Sequence, residues 1–283
     1  MSARVIINAD DFGLSPAVNR GIVRALTEGV LSSTTMLTNL DAFEDAVRLT
    51  REHPGLPVGI HLSLLWGAPL SDPREVPSLV ERDGTLPRSL TTLAGRYFTG
   101  RLRAADVKRE LGRQIRRFLD AGLTPTHVDT HKHVHCLPGL LDAVLETAHE
   151  HGIERIRLPV ERPLELGEAV RIPPAASAKR RLIGLLCRNG RQRIERAGLR
   201  TTDHFLGIEQ QHCLNSDLLR SILSNLRSGV TEIMCHPGYV DDEARTYSRT
   251  PPHREVELAG LMDPRVRDSI ASNAVRLIHY GDL

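Results

Sequence analysis

The stretch RVIINADDFGLSPAVNRGIVRALTEG, residues 4–29, decides the fold class. RVIINAD (4–10) is a short apolar run that ends in polar residues, the pattern of a parallel strand buried on both faces. Ser15 then offers a helix N-cap with Pro16 at the first helical position. Val18, Ile22, Val23 and Leu26 recur at helical spacing, and Gly29 stops the helix. The chain repeats this strand-then-helix unit. LSSTTMLT (31–38) reads as a second strand, DAFEDAVRLTREH (41–53) as a helix opened by Asp41, and PVGIHL (57–62) as a third strand. Such alternation predicts a parallel sheet with helical crossovers.

Further along, residues 67–88 lapse into Pro, Gly, Asp and Ser, a loop of the length that usually forms a lid or binding segment. A charged amphipathic helix is expected over 104–122, a fourth strand at THVDT (126–130), a helix over 138–152 between Pro138 and Gly152, and a short fifth strand at RIRLP (155–159). The segment 160–200 is harder to read; it carries Pro173-Pro174 and then a basic helical run. TTDHFLG (201–207) and TEIMCHPG (231–238) read as later strands around a helix at 216–229, and VRLIHY (275–280) closes the chain. Seven or eight strands alternate with helices and no linker divides them. The expectation is one α/β domain over 1–283, a single distorted β/α barrel, with a doubly wound open sheet as the second architecture.

Composition narrows the function. Of 283 residues, 40% are hydrophobic and 25% charged, as in ordinary globular domains, and the net charge of +2 gives no footprint for nucleic acid. Aromatics at 4% argue against a base-stacking surface or an interfacial aromatic belt. Lysine occurs only at 108, 132 and 179; the other positive charges are arginine, a bias that fits a GC-rich genome. No apolar window reaches membrane-spanning length, and Cys136, Cys187, Cys213 and Cys235 form no CxxC pair, so a reducing cytoplasm is expected. The basic run 179–197 reads as a solvated helix face; a second reading has it meet an anionic lipid or partner.

In a parallel barrel the C-terminal strand ends share one face, where barrel enzymes place their chemistry. Here those ends collect Asn8, Asp10 and Asp11, then His61, then Asp129 and the histidines of THVDTHKHVH (126–135), and finally His236. Carboxylates and imidazoles at one rim suit a divalent ion. Each has a blander reading: an Asx cap for Asp10-Asp11, a satisfied core residue for His61, a plain strand-end histidine for His236. Spacing of two puts His127, Asp129, His131, His133 and His135 on one side while the strand lasts, and that density is hard to explain by packing. Cys136 and Cys235 adjoin histidines, but without paired-cysteine spacing they are weak metal ligands.

NADDFGLS (8–15), VGIHLSL (58–64), PTHVDTHKHVH (125–135) and EIMCHPGY (232–239) together resemble the YdjC-like carbohydrate deacetylases, collinearly as far as about residue 240. RLPVE (157–161) and DHFLG (203–207) look more like the hopanoid-associated HpnK branch than the chitooligosaccharide branch. The resemblance implies a hydrolase that removes N-acetyl groups from an amino-sugar substrate with one divalent ion, magnesium by family habit, with zinc, manganese, cobalt or nickel compatible with the same donors. It maps the metal ligands onto Asp11, His61 and His131, the base onto Asp10 and a general-acid histidine onto His236. Asp129, His133 and Arg157 are the supporting or substrate-facing candidates. Lys132 departs from the chitooligosaccharide branch, where a histidine can stand. Two rivals remain: a two-metal amidohydrolase or isomerase barrel using His131 and His133, and a non-catalytic sugar- or lipid-binding barrel.

Overall fold

Val5, Ile6, Ile7 and Ala9 are fully buried in a nine-residue strand, β1 (Arg4–Phe12), at the centre of a parallel sheet. A computed structural model describes residues 3–164, 172–211, 213–247 and 252–283. Its other strands are β2 (Ser33–Met36), β3 (Val58–Leu62), β4 (Val128–Thr130), β5 (His204–Leu206), β6 (Val230–Cys235) and β7 (Arg276–Leu277). Spatial order is β4-β3-β2-β1-β6-β5, with β7 paired to the start of β1 through Arg4↔Arg276 and Val5↔Leu277. The sheet curls, and isolated parallel bridges Val128↔Ile156, Arg155↔Arg200 and Glu161↔Phe205 carry residues 155–161 between β4 and β5. This is the distorted barrel the alternation predicts.

RIRLP does not become a strand. Pro159 has no N–H for a ladder, and Arg157 turns its side chain across the barrel, so the segment keeps only those bridges. Ser15 caps the helix Pro16–Glu28 by accepting from Val18 N at 3.2 Å, and Gly29 ends it, as expected. Asp41 does not open the next helix: it runs Phe43–Glu52 from Ala42, without a side-chain cap, and Glu44 and Asp45 face its N-terminal dipole instead. The helix expected over 216–229 stops at Ser224. Residues 67–88 form no helix or strand, yet Val76, Leu79 and Leu86 are buried. Glu110 pins this loop by accepting from Leu70 N and Ser71 N. In the difficult 160–200 segment, residues 165–171 lie outside those described, and the remainder yields helices Pro174–Leu186 and Gly190–Arg196. Part of its basic charge is engaged within the fold, Arg180 with Glu209 and Arg193 with Asp142. No described helix is long and apolar enough to cross a membrane.

Strand alternation sorts the side chains. Val5, Ile7 and Ala9 join the large core beneath the helices, whereas Ile6 meets Val230, Ile278 and Tyr280 at the barrel floor. Above that floor the inward positions are polar: Asn8 and Asp10 on β1, Thr35 on β2, His61 on β3, Asp129 on β4 and Glu232 on β6, all buried. Aliphatic layers usually fill such an interior. A buried polar interior persists only when its groups satisfy one another, and here they do so around Arg157.

Candidate active site

Adjacent strand residues normally face opposite ways, so Asp10 and Asp11 can share a site only if the strand is broken between them. The apolar run RVIINAD ends at residue 10. The strand instead continues to Phe12, and a bulge between Ala9 and Phe12 in its pairing with β2 does the work, with Asp11 at φ 71. Left-handed backbone in a non-glycine residue costs about 1–2 kcal/mol, and such strain collects at functional sites. Gly13 completes the turn at φ +89, where a Cβ would stand 2.6 Å from Leu37 O.

The histidine cluster divides in the same way. β4 ends at Thr130, and Lys132 and His133 both adopt φ 55, so alternation fails just after His131. Among the cluster's histidines, His131 therefore joins the Asp11–His61 donor group by itself. His127 points to the barrel floor and stacks on Tyr280 at 3.6 Å, in space that the missing Cβ of Gly59 leaves open. His135 Nδ1 lies 2.5 Å from Thr130 Oγ1. His133 lines the cavity and sets its ring edge against Phe205.

Asp11, His61 and His131 converge. Asp11 Oδ1 is 3.6 Å from His61 Nε2 and 3.4 Å from His131 Nδ1, and the two ring nitrogens are 3.3 Å apart. His61 Nδ1 lies 2.6 Å from Asp129 Oδ1 and 3.2 Å from Thr35 Oγ1. When the ring is neutral, that partner holds its proton on Nδ1 and turns the Nε2 lone pair toward Asp11 and His131. Asp11 Oδ2 is held by Arg254 at 2.5 Å. Among the described residues the buried Oδ1 has no hydrogen-bond donor, the condition expected of an oxygen reserved for a cation.

Asp10 sits beside this triangle. Its two oxygens accept from the Arg157 fork at 2.7 and 2.8 Å, Asn8 Nδ2 donates at 3.1 Å, and His236 Nε2 is 4.0 Å from Oδ2. Arg157 is wholly buried and does not reach the cavity; it also grips Asp129 at 2.5 Å and Glu232 at 2.7 Å. It organises carboxylates rather than substrate. Glu257 accepts from His236 N at 2.5 Å.

Electrostatics agree with a cation at this point. Burial opposes charge on His61, but Asp129, Asp10 and Asp11 outweigh it and raise its pKa to about 9. Burial likewise opposes charge on Asp11, yet Arg254 and His131 hold its carboxyl well below the usual range. Burial lowers His131 to about 4 against the pull of Asp11, leaving a neutral ring able to donate a lone pair. Buried carboxylates (Asp10, Asp11, Asp129, Glu232, Glu257) outnumber the two buried guanidiniums (Arg157, Arg254) around the site. His61, raised to about 9, carries a proton near neutral pH, the place a bound cation would take over. Among the described residues a second group of donors converges, Asp10, His61 and Asp129. It shares His61, and Arg157 already occupies both of its carboxylates. Burial pushes the Cys136 and Cys235 thiols far up, and neither belongs to a converging donor group among the described residues.

The site opens into a cavity of about 900 Å³. Asp10, Asp11, His61, His131 and His236 lie in its wall with Trp66, Lys132, Tyr247 and Arg254. Trp66, at φ 62, lays its ring 4.2 Å from that of His131. Sequence reasoning missed Arg254, Glu257, Trp66, Thr35 and Glu232. Arg254 and Glu257 share one helix, Pro252–Met262, and only their three-residue spacing on an otherwise ordinary helix could have flagged them.

The family model for YdjC-like proteins matches residues 4–272. The chain belongs to the YdjC-like family. Relatives of this YdjC-like chain include a carbohydrate deacetylase of Geobacillus stearothermophilus, 38% identical over 278 residues, which span 98% of this chain and 96% of the relative. A chitooligosaccharide deacetylase of Yersinia enterocolitica is 30% identical over 286 residues, covering all of both chains. Among solved structures, an Enterococcus faecalis protein provisionally named for cellobiose-phosphate cleavage superposes with a TM-score of 0.78 at 27% identity, over 100% of this chain and 99% of that one.

Proposed function

We propose that this YdjC-like chain acts as one unit over its whole length and hydrolyses the N-acetyl group of an amino-sugar substrate with the help of one divalent cation. The carrying observation is the triangle of Asp11 Oδ1, His61 Nε2 and His131 Nδ1, with Asp10 and His236 on the same cavity wall. The names of the Geobacillus and Yersinia relatives support the substrate class.

When bound, a divalent ion supplies Lewis acidity, polarising the acetamide carbonyl and making water acidic enough to attack near neutral pH. Asp11, His61 and His131 would hold it, and Asp129 would keep His61 in the tautomer that binds. Asp10, locked by Arg157 and Asn8, takes the proton of the attacking water; its Oδ2 keeps a lone pair beyond the Arg157 contact. His236, 4.0 Å from that oxygen, delivers a proton to the departing nitrogen. Two adjacent aspartates thus divide the work, and the bulge at Asp11 permits it.

A two-ion site using His131 and His133 is disfavoured, because no converging donor group among the described residues includes His133. Non-catalytic sugar binding is disfavoured by the excess of buried carboxylates, which a passive cavity does not need. The finer substrate, a chitooligosaccharide or a hopanoid-linked sugar as the HpnK-like motifs suggest, belongs to the same proposal, as do magnesium as the ion and a cytoplasmic location.

The test is acetate release from N-acetylglucosamine-containing oligosaccharides across Mg2+, Mn2+, Co2+, Ni2+ and Zn2+, with a chelator arm. Turnover that the chelator abolishes and added ion restores is expected; chelator-insensitive turnover, or none with any ion, contradicts the proposal.

A further inference from the structure

Arg157 aims the proposed base Asp10, yet it stands on the least regular part of the barrel, a segment tied by isolated bridges instead of a strand. Something must aim Arg157. Its Nε donates to Glu232 Oε1 at 2.8 Å, and Glu232 Oε2 in turn accepts from the Tyr280 hydroxyl at 2.5 Å. Glu232 lies mid-strand on β6, in register with Ile6 of β1 on one side and Phe205 of β5 on the other, so its backbone is fixed from both edges. Tyr280 is fully buried, stacked within 7° of parallel on His127, and set by a tight turn that His279 and Asp282 cap reciprocally. Neither Glu232 nor Tyr280 lines the cavity.

We infer that the Tyr280–Glu232 pair on the barrel floor is a positioning device for the reaction, acting through the Arg157 fork on the carboxylate of Asp10. The inference rests on the deacetylase reading above, in which Asp10 is the base. A hydrogen-bonded line runs from the final turn of the chain to the reacting centre: Tyr280 to Glu232, Glu232 to Arg157, Arg157 to Asp10. Glu232 occupies the Nε edge of the guanidinium, which leaves the two Nη groups as a fork that fits both oxygens of one carboxylate. Loss of the Glu232 contact leaves the guanidinium held from the side by Asp129 alone, free to rotate about that contact, and the base tilts with it. Misplacement of a reacting group by about 1 Å can cost ~10²-fold in rate.

The experiment measures kcat, KM and metal affinity for Tyr280→Phe, Glu232→Gln and the double variant, with the full chain loaded with its most active ion. Tyr280→Phe should lower kcat by ~10-fold and Glu232→Gln by up to ~10²-fold. KM and the metal dissociation constant should stay within about twofold of wild type in both. The double variant should match Glu232→Gln, since the tyrosine acts only through the glutamate. Unchanged kcat in folded Tyr280→Phe, a loss confined to KM or to metal affinity, or additive losses in the double variant would each overturn the inference. Tyr280→Phe is the isosteric change and covers the case in which Glu232→Gln does not fold. Wild-type turnover is the separate check on the deacetylase reading. If the wild type releases no acetate, crystal structures of wild type and Tyr280→Phe decide instead: an Arg157 fork displaced from Asp10 supports the inference, and an unmoved pair overturns it.

Discussion

Asp10 and Asp11 are chain neighbours that keep different company. Arg157 and Asn8 hold the first, and Arg254 and the two histidines surround the second. Their variants should separate accordingly. Asp10→Asn retains the cation and loses turnover by ~10²–10⁴-fold, the usual worth of a general base; metal analysis beside kcat checks this. His61→Ala and His131→Ala lose cation and turnover together, and full occupancy in either contradicts its place as a ligand. His236→Ala slows amides more than esters with good leaving groups, because only the amine needs its proton; equal losses on both remove it as the donor. The residues visible in the sequence were those whose chemistry is conspicuous at a strand end. Arg254 escaped notice because its partner Asp11 lies 243 residues away and nothing local marks the pair.

At the scale of elements, apolar runs and caps told where strands and helices lie, and irregularities told what the site does. The bulge in β1 and the paired left-handed residues Lys132 and His133 have no periodic signature, so the sequence could not say where the one-sided alternation of the histidines stops. Gly13 shows how tightly the bulge is held. Gly13→Ala, with a left-handed φ and a Cβ 2.6 Å from Leu37 O, should cost about 1–3 kcal/mol in urea denaturation; stability equal to wild type would mean the turn relaxes freely. The bridging segment 155–161 carries a second handle. Glu161 is buried, accepts from Ile208 N and Glu209 N, and is raised by burial to about 7. Its folded value lies above its unfolded one, so stability is highest when both states are protonated. It declines as pH rises from about 4.5 to about 7 while only the unfolded chain ionises, and is level above that. Relative to Glu161→Gln, wild type should lose up to about 3 kcal/mol between pH 4.5 and pH 8. A difference independent of pH would contradict the raised value.

For the whole molecule, the barrel keeps an ordinary aliphatic core outside its strands and a charged interior within them. An excess of buried carboxylates over guanidiniums is a poor source of stability. The arrangement makes sense if a divalent ion completes it. The alternation of strands and helices was enough to expect a parallel sheet, a barrel first and an open sheet second, because each buried strand and amphipathic helix leaves its own periodic mark. The closing of that barrel was not legible: bridges through Ile156, Arg155 and Glu161 depend on how Arg157 spans the interior, a contact no local pattern encodes. The same holds for the floor, where VRLIHY supplies only a two-residue strand and then Tyr280.

The central claim is that one cation sits among Asp11, His61 and His131. Anomalous diffraction from crystals soaked in Mn2+ or Zn2+ tests it most directly. A single strong peak is expected about 2.0–2.2 Å from Asp11 Oδ1, His61 Nε2 and His131 Nδ1. A peak elsewhere, a second ion at His133, or no peak at saturating metal would contradict it.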